Sequence, residues 1–198
     1  MTTSLQSVDS GRTLLALCAM MVVSLGTLQV QPILGGAFVD QLGFSLQAIG
    51  SVFATELSAM ALACGLSALA MPRINRRRFA GAALAVLVLG NLASLQAGSP
   101  ATLLAARLAC GLGSGAVMAV VYATAALRSS KDATFAAINA GNLLWGMLLV
   151  SSAPWLLKAG GIGSIFVLLG ICSAMAWLGC ARIPDRAASA QGAAPPGC

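Results

Sequence analysis

The chain has 198 residues, 59% hydrophobic and 8% charged, with a mean hydropathy of +0.91. An average soluble domain carries roughly 25% charged residues, so a soluble globular fold is excluded: it would have no surface to offer water. The net charge of +6 could suit a nucleic-acid binder, but its placement along the chain points to a lipid bilayer and to no nucleic acid.

Six apolar runs lie at 13–36, 47–71, 79–97, 101–127, 133–157 and 162–181. A hydrocarbon core is about 30 Å thick and a spanning helix needs about 20 apolar residues. Each run meets that length or nearly so. Inside lipid each helix must satisfy its own backbone.

In chain order, residues 1–12 are polar and read as a short tail. The first run has one basic residue before it, Arg12, and is longer than a signal-peptide core of about 7–15 residues. It ends in Gln29, Gln31 and Pro32 rather than in a cleavage site. Residues 37–46 (AFVDQLGFSL) read as a loop and 72–78 (PRINRRR) as a tight basic turn. Gly98, Ser99 and Pro100 break the chain, residues 128–132 (RSSKD) turn it, and Lys158 to Gly161 turn it again. From Arg182 the sequence IPDRAASAQGAAPPGC, covering 182–198 with that arginine, reads as a disordered tail or the start of a linker. No loop is long enough to fold alone, so the expectation is one membrane domain.

If the first run leaves the cytoplasm, one side holds Arg12, Arg73, Arg76, Arg77, Arg78, Arg128, Lys131, Arg182 and Arg186, and the other holds only Lys158. Basic residues in short loops stay cytoplasmic, which predicts both termini inside. Nine arginines against two lysines, with abundant alanine and glycine, suggest a GC-rich bacterial genome and hence the inner membrane. The six cysteines form no CxxC pair and there is no histidine, so neither a metal nor a cofactor is expected. Cys198 is the last residue and makes no prenylation box.

Short loops predict that helices consecutive in sequence are antiparallel neighbours. The chain divides into helices one to three and four to six. Three is odd, so the two units must be inverted relative to each other, the plan of several transporter folds. The predicted fold is an all-α membrane protein, a 3+3 inverted-topology bundle. Small residues mark close approaches: Gly111, Gly115 and Ala119 in the fourth run, Ala61 and Gly65, and Ala137 and Gly141.

Two charges lie well inside spans, Glu56 in the second run and Arg107 in the fourth. A charge at mid-bilayer costs at least about 2.5–3.5 kcal/mol, so such residues face a cavity or a partner. At about 1.5 Å per residue their depths differ by about 5 Å, a gap an arginine can span. Three readings stand: a structural ion pair, a proton or substrate site, or Arg107 reaching outward to the interface. Arg107, Gly111, Gly115 and Ala119 share one face, which would meet open space or a close backbone. Gln29 and Gln31 lie near the outer end of the first run, Asn91 in the third, and Tyr122 in the fourth. Asn139 and Asn142 share a face of the fifth, with Gly146 one turn on. An enzyme is not expected: Glu56 is the only acid in a span, with Asp40, Asp132 and Asp185 in loops.

The segment ALAMPRINRRRF joins runs two and three, and LLAARLACGLGSGAV opens run four. Together these resemble the N-terminal half of a major facilitator superfamily transporter. That family's loop between its second and third helices reads roughly small-x-Leu-Ala-Asp-Arg-x-Gly-Arg-Arg-Arg. Arg73, Arg76, Arg77 and Arg78 stand at its basic positions, Pro72 replaces its acid, and Asn75 replaces its glycine. Its fourth-helix signature, an arginine followed by spaced glycines, is met by Arg107, Gly111, Gly113 and Gly115. Pro154 lacks the preceding glycine of the drug-antiporter signature. The resemblance covers about residues 13–185.

It implies secondary transport of a small solute, with protons ahead of sodium as the coupling ion. It also implies a second six-helix half, supplied by another copy, another chain or a C-terminal part. Helices one and four would line the path, bringing in Gln29, Arg107 and Tyr122, with Asn139 and Asn142 as further polar candidates and Glu56 as the proton carrier. The rival reading is a truncated half or membrane interaction module that pairs with a transporter and moves nothing itself.

Overall fold

The computed structural model describes residues 8–180 and 183. Most of the predicted tails, with Arg182, Asp185, Arg186 and Cys198, lies outside the described residues. Five helices are long and apolar enough to cross a membrane: α1 (Gly11–Leu42), α2 (Leu46–Ala70), α3 (Arg76–Leu95), α4 (Pro100–Ala125) and α5 (Lys131–Gly179). No strand is present among the described residues. The protein is an all-α, multi-pass membrane protein.

Short polar side chains start four of these helices. The Ser10 hydroxyl accepts from the Thr13 N–H at 3.2 Å, Ser45 from Ala48 at 3.2 Å, and Asn75 Oδ1 from Arg78 at 3.0 Å. Ser99 and Thr102 form a reciprocal capping box, with Pro100 as the first helical residue. Asn75 therefore moves the start of α3 forward to Arg76, and Arg76, Arg77 and Arg78 form its first turn rather than a loop.

The first helix also overruns its predicted end. Residues 37–42 continue α1, and the chain leaves it at Gly43, whose φ of 66° suits glycine. The Gly43 N–H donates to the Val39 carbonyl at 3.0 Å, and the Phe44 ring stacks on Phe38. Asp40 thus sits on the last turn of α1, and Asp132 on the first turn of α5, not in loops.

The fifth and sixth predicted spans form one helical run of 49 residues. Drawn straight it would reach about 74 Å, far more than a bilayer core. Gly160 and Gly161 interrupt it with non-helical angles, Gly161 at φ 64°. The chain folds back there: Ser164 Oγ donates to the Leu156 carbonyl at 2.7 Å. The two limbs meet the same level of α1, since a Cβ on Gly26 would lie 2.8 Å from Leu169 and 3.8 Å from Trp145.

Packing does not follow chain order. The expected neighbours α1 and α2 touch little; α2 packs chiefly on α4, α1 on α5, and α3 on both α4 and α5. Glycines decide this. A Cβ on Gly111 would run into the Glu56 carbonyl and sit 2.9 Å from Ala59 Cβ; one on Gly115 would run into the Met60 carbonyl and sit 2.8 Å from the Cys64 nitrogen. Gly113, on the other side of α4, lies against the α3 backbone at Ala83 and Leu87. The stripe below Arg107 therefore meets close backbone and not open space. Helix α4 is the axis on which α2 and α3 are laid.

Two apolar clusters fill the interior. One gathers Leu17, Met20, Leu84, Val117, Val120 and Ile138; the other gathers Leu34, Phe38, Val52, Leu103, Leu149 and Phe166. Leu62, Leu66, Leu89, Leu143, Met175 and Leu178 point outward, as lipid-facing residues must.

Gly115→Ala should destabilise the protein by about 1–3 kcal/mol, because the added methyl meets backbone that cannot move aside. Gly36→Ala, where nothing lies within 4 Å, should be neutral or stabilising. Thermal unfolding of the two variants in detergent checks this.

Candidate functional site

A polar layer separates the two apolar clusters, and Arg107 is its centre. The side chain is 1% exposed. A guanidinium carries five N–H donors in a fixed fork and no acceptor, so burying it requires acceptors on several sides. Three helices bring them, and a fourth adds an aromatic face. Its Nη1 donates to Thr27 Oγ1 on α1 at 3.3 Å and to Glu56 Oε1 on α2 at 3.5 Å. On α3, Nη2 donates to the Gly90 carbonyl at 3.3 Å and to Asn91 Oδ1 at 3.1 Å, and Nε donates to Ser94 Oγ at 3.1 Å. The second limb of α5 supplies Phe166, whose ring centroid lies 4.9 Å from the guanidinium carbon.

Glu56 is 3% exposed and forms its ion pair with Arg107 at 3.5 Å. Only one carboxylate oxygen is used; Oε2 is buried without a hydrogen-bond partner. The Gln31 amide on α1 lies near this carboxylate, but its buried Nε2 makes no hydrogen bond to it. The glycine at 111 explains how Glu56 comes so close: without a side chain there, the α2 backbone at Glu56 rests directly on α4.

A second polar contact joins α1 to α5. Gln29 Nε2 donates to Asn142 Oδ1 at 2.9 Å and to the Asn142 carbonyl at 3.0 Å. Gly146 makes room for it, since a Cβ there would overlap the Gln29 amide. Asn139 takes no part: it is exposed and donates to the Phe135 carbonyl of its own helix at 2.9 Å. Tyr122 is also elsewhere. It lies about 22 Å along α4 from Arg107, half-buried against Phe135 at a centroid distance of 5.9 Å.

The basic loop motif divides. Arg73, Arg77 and Arg78 are exposed, while Arg76 is buried and donates to the Ala123 carbonyl at 3.4 Å, near the C-terminus of α4. A buried cation that the motif reading passed over lies near this end. Arg128 donates to Thr134 Oγ1 at 3.0 Å, to the Asp9 and Ser10 carbonyls at 3.2 Å each, and to the Val8 carbonyl. The Ser129 N–H, bonded to Asp9 Oδ1 at 2.9 Å, holds that carboxyl below its usual range, with Arg128 adding to the effect.

Ser94, Thr27 and Phe166 also escaped the sequence reading, although Asn91 and Ser94 share a face of α3 at a spacing of three. Among the described residues no group of His, Cys, Asp and Glu is placed to hold a metal ion.

Arg107→Ala should cost about 3–5 kcal/mol, because it strands a buried carboxylate. Adding Glu56→Gln to that variant should recover part of the loss. Unfolding midpoints of the single and double variants in detergent test the coupling.

The comparisons with known proteins agree with this architecture. No curated protein matches the chain. The family model of the Major Facilitator Superfamily matches residues 13–196, and membership in it suggests a transporter. An apolar helical bundle pinned by a buried arginine and glycines on one helix, matched over nearly its whole length, places the chain in the Major Facilitator Superfamily.

Proposed function

We propose that the protein is a secondary active transporter for a small solute, driven by protons. The observation that carries this is the Glu56–Arg107 pair, buried between α2 and α4 with one carboxylate oxygen unpartnered. A buried structural pair gains most when every lone pair is satisfied. Glu56 keeps one in reserve. A proton taken up at Oε2 would neutralise the carboxylate and weaken its hold on Arg107. The two groups sit on the backbone contact between α2 and α4, so the protonation state acts on the packing of the helices themselves.

The chain crosses the membrane six times in this reading, with the two limbs of α5 as the last two crossings, arranged as a 3+3 inverted bundle. Residues 8–13, the turn at 72–75 and the segment 126–130 share one end, joined by Arg128 and Arg76. Arg73, Arg77, Arg78 and Lys131 are also there, which supports reading that end as cytoplasmic; the bacterial inner membrane rests on the arginine-, alanine- and glycine-rich composition. Lys158 lies at the opposite end, over the Trp155 ring.

Transport by alternating access rocks one six-helix unit against another. A surface fit for that partner exists on α2. Ala54, Ser58, Ala61, Gly65 and Ala68 are all exposed and share one helix face, and nothing lies within 4 Å of a Cβ on Gly65. Small residues allow backbones to approach where lipid gives little hydrophobic drive. Another copy, another chain or a C-terminal part would supply the second half.

Glu56→Gln should abolish uptake driven by a pH gradient while leaving expression intact. The measurement is solute accumulation in energised vesicles, with a panel of small solutes used to find the one carried. Unchanged accumulation by the variant would contradict the proton role.

A further inference from the structure

We propose that Gln31 is a positioning residue for the proton-coupled step: its amide takes hold of Glu56 when the carboxyl is protonated, and Glu56 thereby passes from Arg107 on α4 to Gln31 on α1. The inference rests on the proton role assigned to Glu56. What it adds is the partner that receives the neutral acid, and the helix on which the exchange acts.

Helices α1 and α2 touch little. Where they do, Gly35 lies against α2: a Cβ there would be 3.4 Å from Phe53 and 3.7 Å from Ile49. Phe38 continues the contact, its ring centroid 6.3 Å from that of Phe53. The two helices are antiparallel, joined by the turn at Gly43. One turn back from Gly35 on α1 therefore meets one turn on from Phe53 on α2. Those positions are Gln31 and Glu56. One turn further back on α1, Thr27 shares Arg107 Nη1 with Glu56, at 3.3 and 3.5 Å.

Two polar atoms in this seam are buried and unpartnered, Gln31 Nε2 and Glu56 Oε2. The other polar groups around the ion pair are committed. Thr27, Asn91 and Ser94 accept from Arg107, and Ser94 donates to the Gly90 carbonyl at 2.7 Å. The charged and titratable groups that face Glu56 are Arg107 and Cys110, both on α4. Helix α1 presents neutral Thr27 and Gln31, α3 neutral Asn91 and Ser94, and the second limb of α5 Phe166.

A carboxylate accepts only, but an acid protonated at Oε2 presents an O–H that needs an acceptor. Arg107 has no acceptor to offer. A glutamine amide carries a donor end and an acceptor end. Turning the Gln31 amide about its last side-chain bond puts its oxygen where its nitrogen now lies. One O–H bond forms at Oε2, one breaks in the hydronium ion that supplies the proton, and no electrons change hands. The neutral carboxyl then holds Arg107 less and Gln31 more.

Helix α1 is suited to respond at this point. Pro32, the next residue, lies inside α1. It has no N–H for the Leu28 carbonyl, so the helix is least braced beside Gln31. Gln29, two residues earlier, carries the bond to Asn142 on α5. Movement of α1 at Gln31 is therefore carried to α5.

The test compares Gln31→Leu and Gln31→Met with the wild type, as full chains in detergent, at two pH values. At the first the infrared carbonyl signal of protonated Glu56 is absent, and at the second it is fully developed. At the first, either substitution removes a buried unpartnered N–H, and the unfolding midpoint should hold or rise. At the second, it strands the O–H of the acid, and the midpoint should fall by about 2–4 °C. The carbonyl band should also move to higher wavenumber, as for an acid whose O–H has no partner. In a Glu56→Gln background the substitution should act equally at both pH values.

A stability effect equal at both pH values with Glu56 present, or an unmoved band, would overturn the role and leave Gln31 a packing residue. A pH-dependent effect that persists in the Glu56→Gln background would overturn it too. A wild type with no titrating Glu56 signal would instead remove the proton role of Glu56, on which this one depends. Met keeps the length of glutamine and Leu does not, so the test stands if one of the two does not fold.

Discussion

A guanidinium held in the middle of lipid-facing helices is the constraint from which the rest of the structure follows. The Arg107 side chain carries five N–H donors and no acceptor, and the bilayer offers no water to solvate it. Acceptors must come from the protein, and no one helix carries enough of them. Thr27, Glu56, Asn91 with Ser94, and Phe166 arrive from four directions. Fixing one side chain in this way fixes the register of every helical run it touches. The apolar clusters on either side then fill the space that this register leaves.

Close approach is what makes the network reachable. An arginine side chain is long, but a carboxylate on a neighbouring helix reaches it only when the backbones nearly touch. Gly111 and Gly115 bring α2 onto α4, and Gly113 brings α3 onto the other side. The same contact couples chemistry to shape. Glu56 supplies both the carboxylate that faces Arg107 and the carbonyl that rests on Gly111. A change in its charge is felt where the two helices are least able to slide. The proposed uptake of a proton at Glu56 would therefore act directly on the packing of α2 against α4.

Much of this was legible in the sequence, for identifiable reasons. Length and hydropathy reveal helices in lipid because the bilayer enforces them. The cost of a buried charge made Glu56 and Arg107 stand out, and their similar depths made a contact between them feasible. The spatial neighbours were not legible. Short loops suggested that α1 packs on α2, but the glycines at 111 and 115 carry α2 to α4. A spacing of four says only that a face is small; whether it meets backbone or open space depends on the partner helix. Helix ends were misjudged where a cap decides them: Asn75 draws three arginines into α3, and Gly43 lets α1 run on past Ala37. Asn139 shares a face with Asn142 but is exposed and turns back to its own helix. Ser94 was missed because a serine near a helix end usually faces solvent, and only the tertiary structure turns it toward Arg107.

The most direct measurement is infrared difference spectroscopy of the protein in lipid as the pH is stepped. A buried carboxylic acid that gains and loses a proton gives a carbonyl signal distinct from those of exposed acids. If Glu56 is the proton-exchanging group, that signal will appear in the wild type and vanish in Glu56→Gln. A signal that survives the substitution, or a wild type with none, would show that the Glu56–Arg107 pair is a fixed structural element and that the driving proton binds elsewhere or not at all.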